Sequence, residues 1–258
     1  MKVLILAGGL GTRIAEESQF RPKPMIEIGS MPILWHIMKY YSSFGFNEFI
    51  IMAGYKQYVI KEFFADYFLH NADVSFDLAT GEMEVLNKEA EPWKVTIIDT
   101  GLHTMTGGRI KRVQKYVGNE TFMLTYGDGV SNIDLNALLA FHQNHGKIAT
   151  ISMVNLAQQK GVLDVGEGGQ IRAFREKDGV DGAIINGGFM VLNPEIFDYI
   201  EGDDTSFELG PMRELVKEQQ LMGFMHTGFW QCMDTQRQKK MLEELWASGK
   251  APWKVWED

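Results

Sequence analysis

The chain opens with the stretch Met1–Arg13, MKVLILAGGLGTR, and Arg21–Pro24, RPKP, follows shortly after it. The run Met1–Leu6 is almost continuously apolar, which is typical of a parallel strand that is buried on both faces. The glycines after it let the backbone approach a polyanion, because glycine has no Cβ and tolerates positive φ. Backbone N–H groups in such a loop form a nest for phosphate oxygens, and Arg13 and Lys23 add positive charge. These features predict a cradle for a nucleoside triphosphate.

The spacing of the glycines in the loop Gly8–Arg13 differs from that of two common phosphate-binding motifs. It fits neither the G-x-G-x-x-G pattern of dinucleotide-binding folds nor the G-x-x-x-x-G-K-[ST] pattern of P-loops. The spacing therefore excludes two common phosphate-binding families.

Composition bounds the class of protein. The 258 residues are 45% hydrophobic and 23% charged, which is ordinary for a globular chain with a large core. The net charge of −9 argues against a nucleic-acid partner, and the single cysteine, Cys232, excludes an intramolecular disulfide. The opening apolar run is too short for a signal peptide or a membrane span. We expect a cytoplasmic protein that binds neither nucleic acid nor membranes.

Strand and helix patterns alternate through the first half of the chain. This alternation predicts an α/β fold with a Rossmann-like mixed, mainly parallel sheet flanked by helices. Residues 14–30 are expected to form a long loop near the ligand, and residues 70–94 an insertion over the sheet or towards a partner subunit. The predicted strands after the first are 49–53, 95–99, 122–126 and 148–154, and the predicted helices are 32–41, 59–68, 107–115 and 135–145.

The second half is organised differently. Short apolar runs at 161–165, 171–177 and 183–192, separated by turns, predict a smaller antiparallel β subdomain laid against the first sheet. We predict a single domain, with about residues 1–130 as the nucleotide-binding half and about 131–258 as the other half.

A C-terminal helix is predicted over 233–246. Asp234 and Thr235 open it, and both are competent N-cap residues. Trp253 and Trp256 follow in the tail, where they could contact a partner subunit or fold back on their own chain.

Several segments should reach the carboxyl ends of the strands, where open parallel sheets bind ligands. They are Gly8–Arg13, Gly54–Lys56 and Gly127–Gly129. Asp128 is open to two interpretations: a turn aspartate, which is the common use of Asp-Gly, or a carboxylate that holds Mg²⁺ against a triphosphate. For Asp234 the pattern alone favours a helix cap.

Nucleophilic hydrolases and zinc sites are not favoured. The chain has no G-x-S-x-G motif, and its six histidines form no H-x-x-x-H pair. His142 and His145 share a helix face, but such a pair of histidines is more often exposed to solvent than bound to a metal, so we expect both to face solvent.

With Leu6–Arg13 and Arg21–Met25 in register, the chain resembles the sugar-1-phosphate nucleotidylyltransferases, and among them most closely the glucose-1-phosphate cytidylyltransferases. The resemblance covers nearly the whole chain. It includes Pro32–Lys39, Tyr67–His70, Met105–Arg109, Thr125–Val130, Asn186–Phe189, Gly228–Gln231, Met233–Thr235 and Lys250–Lys254.

The resemblance implies the nucleotide-diphospho-sugar transferase fold, with the antiparallel subdomain binding the sugar. It also implies an activity: transfer of a cytidylyl group from CTP to α-D-glucose 1-phosphate, which gives CDP-glucose and pyrophosphate. Mg²⁺ is the implied cofactor, and the implied assembly is a homo-oligomer, a hexamer. The product would serve O-antigen or surface polysaccharide biosynthesis.

Residue roles follow from the resemblance. Arg13 would contact the β- and γ-phosphates, and Lys23 would bridge the α-phosphate and the sugar phosphate. The implied catalytic residues are Arg13, Lys23 and Asp128, and the implied metal ligands are Asp128 and Asp234. The implied nucleotide-binding residues are Leu6, Ala7, Gly8, Gly9, Leu10, Gly11, Thr12, Arg13, Lys23, Thr104, Arg109 and Asp128, and the implied sugar-binding residues are Gly161, Glu176, Lys177 and Asn186.

The sequence offers no histidine motif for a general base, and the implied reaction does not require one. A sugar phosphate has a second pKa of about 6 and is largely dianionic at neutral pH. The nucleophile therefore needs relief of anion repulsion and in-line alignment rather than a general base. Lys23, Arg13 and Mg²⁺ are groups that supply both.

Three segments depart from the family pattern on the side predicted to bind sugar. Gln159–Gly161 replaces Arg-Phe-Gly, Asp178 replaces a proline, and Phe207–Pro211 replaces Trp-Glu-Gln-Glu-Pro. A different sugar or polyol phosphate therefore remains an alternative acceptor. A further alternative is a nucleotide-binding regulatory subunit that has lost catalysis. The presence of Arg13, Lys23, Asp128 and Asp234 together disfavours this alternative, because a regulatory subunit need not keep all four.

Overall fold

The computed structural model describes residues 1–87, 90–156, 162–165, 171–175 and 183–257. In chain order the strands are β1 Lys2–Ala7, β2 Glu27–Ile28, β3 Met31–Pro32, β4 Glu48–Ala53, β5 Val74–Asp77, β6 Glu82–Val85, β7 Lys94–Asp99, β8 Phe122–Tyr126, β9 Gly129–Ser131, β10 Ala149–Leu156, β11 Val162–Val165, β12 Ile171–Arg175, β13 Ala183–Leu192, β14 Leu221–His226 and β15 Trp230–Cys232. The helices are α1 Ala15–Ser18, α2 Ile33–Ser43, α3 Gln57–Ala65, α4 Tyr67–Asn71, α5 Thr106–Arg112, α6 Gln114–Val117, α7 Leu135–His145, α8 Pro211–Lys217 and α9 Gln236–Ala247, with 3-10 turns at Thr12–Ile14, Lys23–Met25 and Pro194–Tyr199.

The central sheet has the strand order β14-β10-β13-β8-β1-β4-β7 in the described part of the chain. The pairs β1–β4, β1–β8, β4–β7 and β10–β14 are parallel. Strand β13 is antiparallel to both of its neighbours, β10 and β8. The predicted mixed, mainly parallel α/β sheet is confirmed.

Strand β1 is buried on both faces. Val3 and Ile5 belong to the apolar cluster that contains residues of α2, whereas Leu4 and Leu6 belong to the cluster that contains Ile110 of α5. Successive side chains of a strand point to opposite faces, so a strand covered by helices on both sides needs apolar residues throughout. This requirement explains the unbroken apolar run that opens the chain.

Strand β13 corrects one prediction. Residues 183–192 do not belong to a separate antiparallel subdomain, because β13 lies inside the central sheet and Gly187–Leu192 are buried. Its nearly continuous apolar sequence is typical of a central strand. Strands β11 and β12 do form an antiparallel pair, as predicted.

Two segments contain more regular structure than predicted. Residues 14–30 hold α1, the 3-10 turn Lys23–Met25 and β2 rather than a single loop. Residues 70–94 contain the hairpin β5–β6, in which Phe76 and Met83 are exposed, so the hairpin lacks the apolar period of a buried element.

The C-terminal tail folds back on its own chain. Trp253 is fully buried, and its Nε1–H donates to His36 Nδ1 at 3.4 Å. The His36 Nε2–H donates to the Ile28 carbonyl at 2.9 Å, and the ring lies edge-on to Trp246 at 4.5 Å between centroids. Trp253 is therefore a core residue rather than a contact surface.

His36 should make stability depend on pH. Burial lowers its pKa from 6.5 to about 4. Between these values the unfolded chain binds a proton that the folded chain does not, so the free energy of unfolding falls as the pH drops. We expect a loss of about 2 kcal/mol between pH 7 and pH 5, measured by urea unfolding. His36→Gln, which keeps an amide donor for Ile28, should flatten the dependence; an equal loss in that variant would contradict the assignment.

Among the described residues, no helix is both long enough and apolar enough to cross a membrane.

Candidate active site

A cavity of about 430 Å³ lies at the carboxyl ends of β1 and β8. This first cavity is bounded by the glycine loop, the start of α5 and the turn after β8. Its lining residues are Leu6, Ala7, Gly8, Gly9, Gly11, Thr12, Arg13, Lys23, Pro24, Thr104, Met105, Thr106, Arg109, Tyr126, Gly127, Asp128, Ser206 and Glu208. The predicted nucleotide residues thus line one cavity, except for Leu10, which is exposed beside it.

The glycines of the loop serve different needs. A Cβ on Gly8 would lie 2.1 Å from the Arg109 guanidinium, so Gly8 permits a close approach by that side chain. Gly11 has a φ of +67°, the left-handed region that favours glycine. A Cβ on Gly9 would meet nothing within 4 Å, which leaves the space in front of it open for a ligand.

Arg109 is held in place by carbonyl and hydroxyl oxygens just after β7 and by the Ala53 carbonyl at the end of β4, at 3.5 Å. Its guanidinium donates to Thr100 Oγ1 and the Gly101 carbonyl, both at 2.7 Å, and to the Leu102 carbonyl at 3.2 Å. Gly54 lies against the same guanidinium, because a Cβ there would be 2.4 Å from an Arg109 guanidinium nitrogen. The segment Gly54–Lys56 thus begins beside the cavity.

A cluster of four charged side chains lies at one end of the first cavity. Lys23 Nζ is 2.5 Å from Asp128 Oδ2 and also contacts Asp234 Oδ1. The second oxygen of Asp234, Oδ2, is 2.8 Å from an Arg13 guanidinium nitrogen. Lys23 is buried in a 3-10 turn, and its two neighbours in the chain, Pro22 and Pro24, restrict the backbone.

The ion pairs determine the protonation of this charge cluster. Burial alone would lower the pKa of Lys23, but Asp128 and Asp234 outweigh it, and the pKa lies above its ordinary value. Burial alone would raise the pKa of Asp234, but Lys23 and Arg13 outweigh it, and the pKa lies below its ordinary value. Lys23 and Asp234 are therefore both charged at neutral pH.

The pairing of β9 with β15 explains why two distant aspartates meet. Strand β9 follows Asp128, β15 ends just before Asp234, and the Met233 N–H donates to the Asp128 carbonyl at 2.8 Å. The helix-cap interpretation of Asp234 is wrong, because Thr235 is the N-cap of α9 and forms a capping box with Gln238. The Asp234 carboxylate is thus left for the charge cluster.

A second cavity, of about 280 Å³, adjoins the first. Arg13, Tyr126 and Asp128 line both cavities, Lys23 lines the first and Asp234 lines the second, so the charge cluster spans the boundary between them. The other residues that line the second cavity are Thr125, Gly129, Asn186, Gly187, Gly188, Phe189, Trp230, Cys232 and Asp234.

Of the four residues predicted to bind sugar, Asn186 lines the second cavity. Gly161, Glu176 and Lys177 lie outside the described residues.

Comparison with known proteins identifies the family. A family model described as Nucleotidyl transferase matches residues 2–243. The chain belongs to the nucleotidyl transferase family.

Relatives within this family are similar along their whole length. The chain is 56% identical to the glucose-1-phosphate cytidylyltransferase of Salmonella typhi, with 100% of both chains covered. It is 46% identical to the probable glucose-1-phosphate cytidylyltransferase of Bacillus subtilis, over 99% of this chain and 100% of the other. The crystal structure of HddC from Yersinia pseudotuberculosis complexed with GMP-PN has a TM-score of 0.68 at 25% identity, over 95% of this chain and 99% of that chain.

These comparisons confirm the predicted enzyme class, a nucleotidyltransferase, and the predicted resemblance to the glucose-1-phosphate cytidylyltransferases.

Seven of the described residues that line the first cavity are not among the predicted nucleotide-binding residues: Pro24, Met105, Thr106, Tyr126, Gly127, Ser206 and Glu208. The segment Phe207–Pro211 is predicted to lie on the sugar side. In the structure the Glu208 side chain lines the first cavity, and its Oε1 accepts from Tyr126, which lines both cavities. Only the resemblance to a family segment marked this stretch, and no spacing in the sequence relates Glu208 to the glycine loop.

His142 and His145 on α7 are predicted to face solvent, and this prediction is wrong. His142 is 2% exposed, and Thr150 Oγ1 lies 2.9 Å from His142 Nδ1 and 2.6 Å from His145 Nε2. Both histidines therefore contact the central sheet through β10.

Proposed function

We propose that the chain transfers a cytidylyl group from CTP to α-D-glucose 1-phosphate and releases pyrophosphate. The observation that carries this proposal is the placement of Arg13, Lys23, Asp128 and Asp234 at the boundary shared by two cavities. A two-substrate transfer needs such a boundary, because the nucleophile must enter from one side while the leaving group departs on the other.

In the proposed reaction the nucleotide occupies the first cavity and the sugar phosphate the second. An oxygen of the sugar phosphate forms a bond to the α-phosphorus of CTP, and the bond from that phosphorus to the bridging oxygen of pyrophosphate breaks. No proton has to move, because the attacking phosphate is already a dianion. In this proposal Lys23 contacts both anions as they approach, and Arg13 contacts the departing phosphates.

Mg²⁺ is the proposed cofactor, and the donor atoms present fit it. Asp128 and Asp234 direct carboxylate oxygens at one cation, the Lys23 ammonium, and oxygen ligands are those that Mg²⁺ prefers. No group of three or more His, Cys, Asp or Glu side chains suited to a metal occurs among the described residues. Mg²⁺ usually takes one or two carboxylates together with phosphate oxygens and water, so two aspartates suffice.

Charge balance also favours an added cation. Arg13 and Lys23 carry two positive charges, which Asp128 and Asp234 already neutralise. A triphosphate therefore meets a cluster with no net charge, and bound Mg²⁺ would supply the charge neutralisation for the phosphate oxygens.

The choice of CTP and glucose 1-phosphate is supported by the names of the relatives that match over the full chain. The departures at Gln159–Gly161 and Asp178 lie outside the described residues. A different sugar or polyol phosphate is therefore kept as the second candidate acceptor.

A pyrophosphate-release assay tests the proposal with CTP, UTP, dTTP, ATP and GTP, each against a panel of sugar 1-phosphates. We expect the highest kcat/KM for CTP with glucose 1-phosphate. Turnover only with UTP would contradict cytidylyl transfer, and a strong preference for another sugar would move the acceptor to the second candidate. No turnover with any pair would favour a regulatory subunit.

We also propose a cytoplasmic homo-oligomer, a hexamer as the resemblance implies. The surface of α4 and the hairpin β5–β6 supports self-association, since Phe68, Phe76, Leu78 and Met83 are 45%, 53%, 93% and 53% exposed. Light scattering would give the mass in solution, and a monomer would contradict this part of the proposal.

A further inference from the structure

Tyr55 contacts the chain at the start of the glycine loop and again just after the loop. Its N–H donates to the Gly8 carbonyl at 3.2 Å, and its hydroxyl donates to the Ser18 carbonyl at 3.1 Å. The first of these bonds continues the parallel pairing of β1 with β4 beyond Ala7 and Ala53, where the two strands end. Tyr55 thus joins the start of the loop to α1, the helix that follows it.

Ser18 carries this contact back into the loop. The residue is 4% exposed, and its Oγ–H donates to the Gly11 carbonyl at 2.9 Å. Gly11 has a φ of +67° and lies against Ser18, because a Cβ there would be 3.0 Å from the Ser18 Cβ. The hydroxyls of Tyr55 and Ser18 therefore form two links in series between the end of β4 and the middle of the glycine loop.

The two carbonyls held in this way determine where the loop presents its N–H groups. All peptide bonds of the described residues are trans, and in a trans peptide the N–H points opposite to the carbonyl of the preceding residue. With the carbonyls of Gly8 and Gly11 held on one side, the N–H groups of Gly9 and Thr12 point to the other. Gly9 and Thr12 both line the first cavity.

The loop keeps donors free for an anion. No backbone carbonyl of the described residues accepts from the N–H groups of Gly9, Leu10 or Gly11. A carbonyl oxygen that turned towards the cavity would repel a phosphate, whereas these N–H groups can donate to it. By holding two carbonyls away, Tyr55 and Ser18 keep the loop in a conformation that suits phosphate.

Lys56 adds a strained backbone and a further contact at the same place. Its φ is +46°, a left-handed conformation that a residue with a Cβ rarely adopts. Its Nζ donates to the Gln19 carbonyl at 2.6 Å, one residue beyond the carbonyl that Tyr55 binds. Such strain persists only where the surrounding structure fixes it, and it is typical of functional sites. The turn after β4 therefore holds the end of α1 at two neighbouring carbonyls.

We propose that Tyr55 and Ser18 are positioning residues that hold the glycine loop in the conformation that binds the phosphates of CTP. The proposal deepens the proposed function and rests on it. Neither residue is among the described residues that line the two cavities, so both act through the loop rather than on a substrate. Loss of either hydroxyl should therefore weaken the binding of a phosphate-bearing nucleotide and spare the other substrate.

The test removes each hydroxyl singly, in Tyr55→Phe and Ser18→Ala, and then both together. CTP binding is measured by calorimetry, cytidine binding by inhibition of turnover, and the KM for glucose 1-phosphate by pyrophosphate release. Each single variant should bind CTP about 3- to 10-fold more weakly, the range for a neutral hydrogen bond. The inhibition constant of cytidine, which carries no phosphate, and the KM for glucose 1-phosphate should change by less than about 2-fold.

The double variant distinguishes links in series from independent contacts. If the Tyr55 hydroxyl acts through Ser18, loss of both hydroxyls should weaken CTP binding no more than the larger single loss does. Independent contacts would instead multiply the two losses. Tyr58→Phe is the matched control, since Tyr58 is 53% exposed on α3, and it should bind CTP as wild type does.

Unchanged affinity for CTP in both single variants would overturn the inference. Equal losses for CTP, cytidine and glucose 1-phosphate would overturn it as well, since they would indicate general damage to the structure. Multiplied losses in the double variant would contradict the action of Tyr55 through Ser18. Failure of the proposed function has a different signature: wild type itself would then not turn over CTP.

Discussion

Lys23→Ala should lower kcat by about 100- to 1,000-fold while the KM for CTP changes by less than about 10-fold. The ammonium lies at the boundary of the two cavities, in contact with Asp128 and Asp234. Its charge therefore matters most when two phosphate groups approach each other. Steady-state pyrophosphate release with each substrate varied in turn measures both constants.

A matched control is Lys240→Ala, because Lys240 has a side chain that is 81% exposed on α9. This variant should retain wild-type constants. An unchanged kcat in Lys23→Ala would contradict the role of Lys23, and a large rise in the KM for CTP without a fall in kcat would assign Lys23 to ground-state nucleotide binding.

Asp234→Asn should lower kcat by about 100-fold or more at low Mg²⁺ concentration and shift the Mg²⁺ dependence to higher concentration. The asparagine keeps the shape of the side chain but removes a charge that a divalent cation needs. Thr235 caps α9, so the helix does not depend on Asp234. Cooperative thermal unfolding should therefore be retained.

Asp128→Asn provides a parallel test at the other carboxylate. It should show the same shift in Mg²⁺ dependence, because both aspartates contact the Lys23 ammonium and both are proposed Mg²⁺ ligands. Mn²⁺ binding in the presence of CTP, followed by electron paramagnetic resonance, measures the site without relying on turnover. Loss of cooperative unfolding in Asp128→Asn would instead favour the turn-aspartate interpretation.

The sequence was most informative where a local pattern corresponds to a single kind of structure. The unbroken apolar run of β1 predicted burial on both faces, and alternation of strands and helices predicted the mixed, mainly parallel sheet. The glycines predicted a close backbone approach, although at Gly8 the group that approaches is the Arg109 guanidinium.

The pairing of strands that are distant in the chain could not be predicted from the sequence. Asp234 looked like a helix cap because its neighbours open α9, and only the pairing of β9 with β15 brings it beside Asp128. Strand β13 looked like part of a subdomain because strand partners are not encoded by the pattern of one strand alone.

Glu208 illustrates the same limit at the site. Its place in the first cavity depends on how the segment before α8 packs on the start of α5, through contacts between Thr205 and Gly107 and between Thr106 and Glu208. No periodicity marks such a contact, because it joins irregular chain to a helix end.

The most direct test of the central claim follows both products of wild type by phosphorus NMR, starting from CTP, glucose 1-phosphate and Mg²⁺. The account predicts CDP-glucose and pyrophosphate in equal amounts, with formation dependent on both substrates and slowed by about 100- to 1,000-fold in Lys23→Ala. Release of pyrophosphate with CMP, or no CDP-glucose at all, would contradict transfer at the boundary between the two cavities.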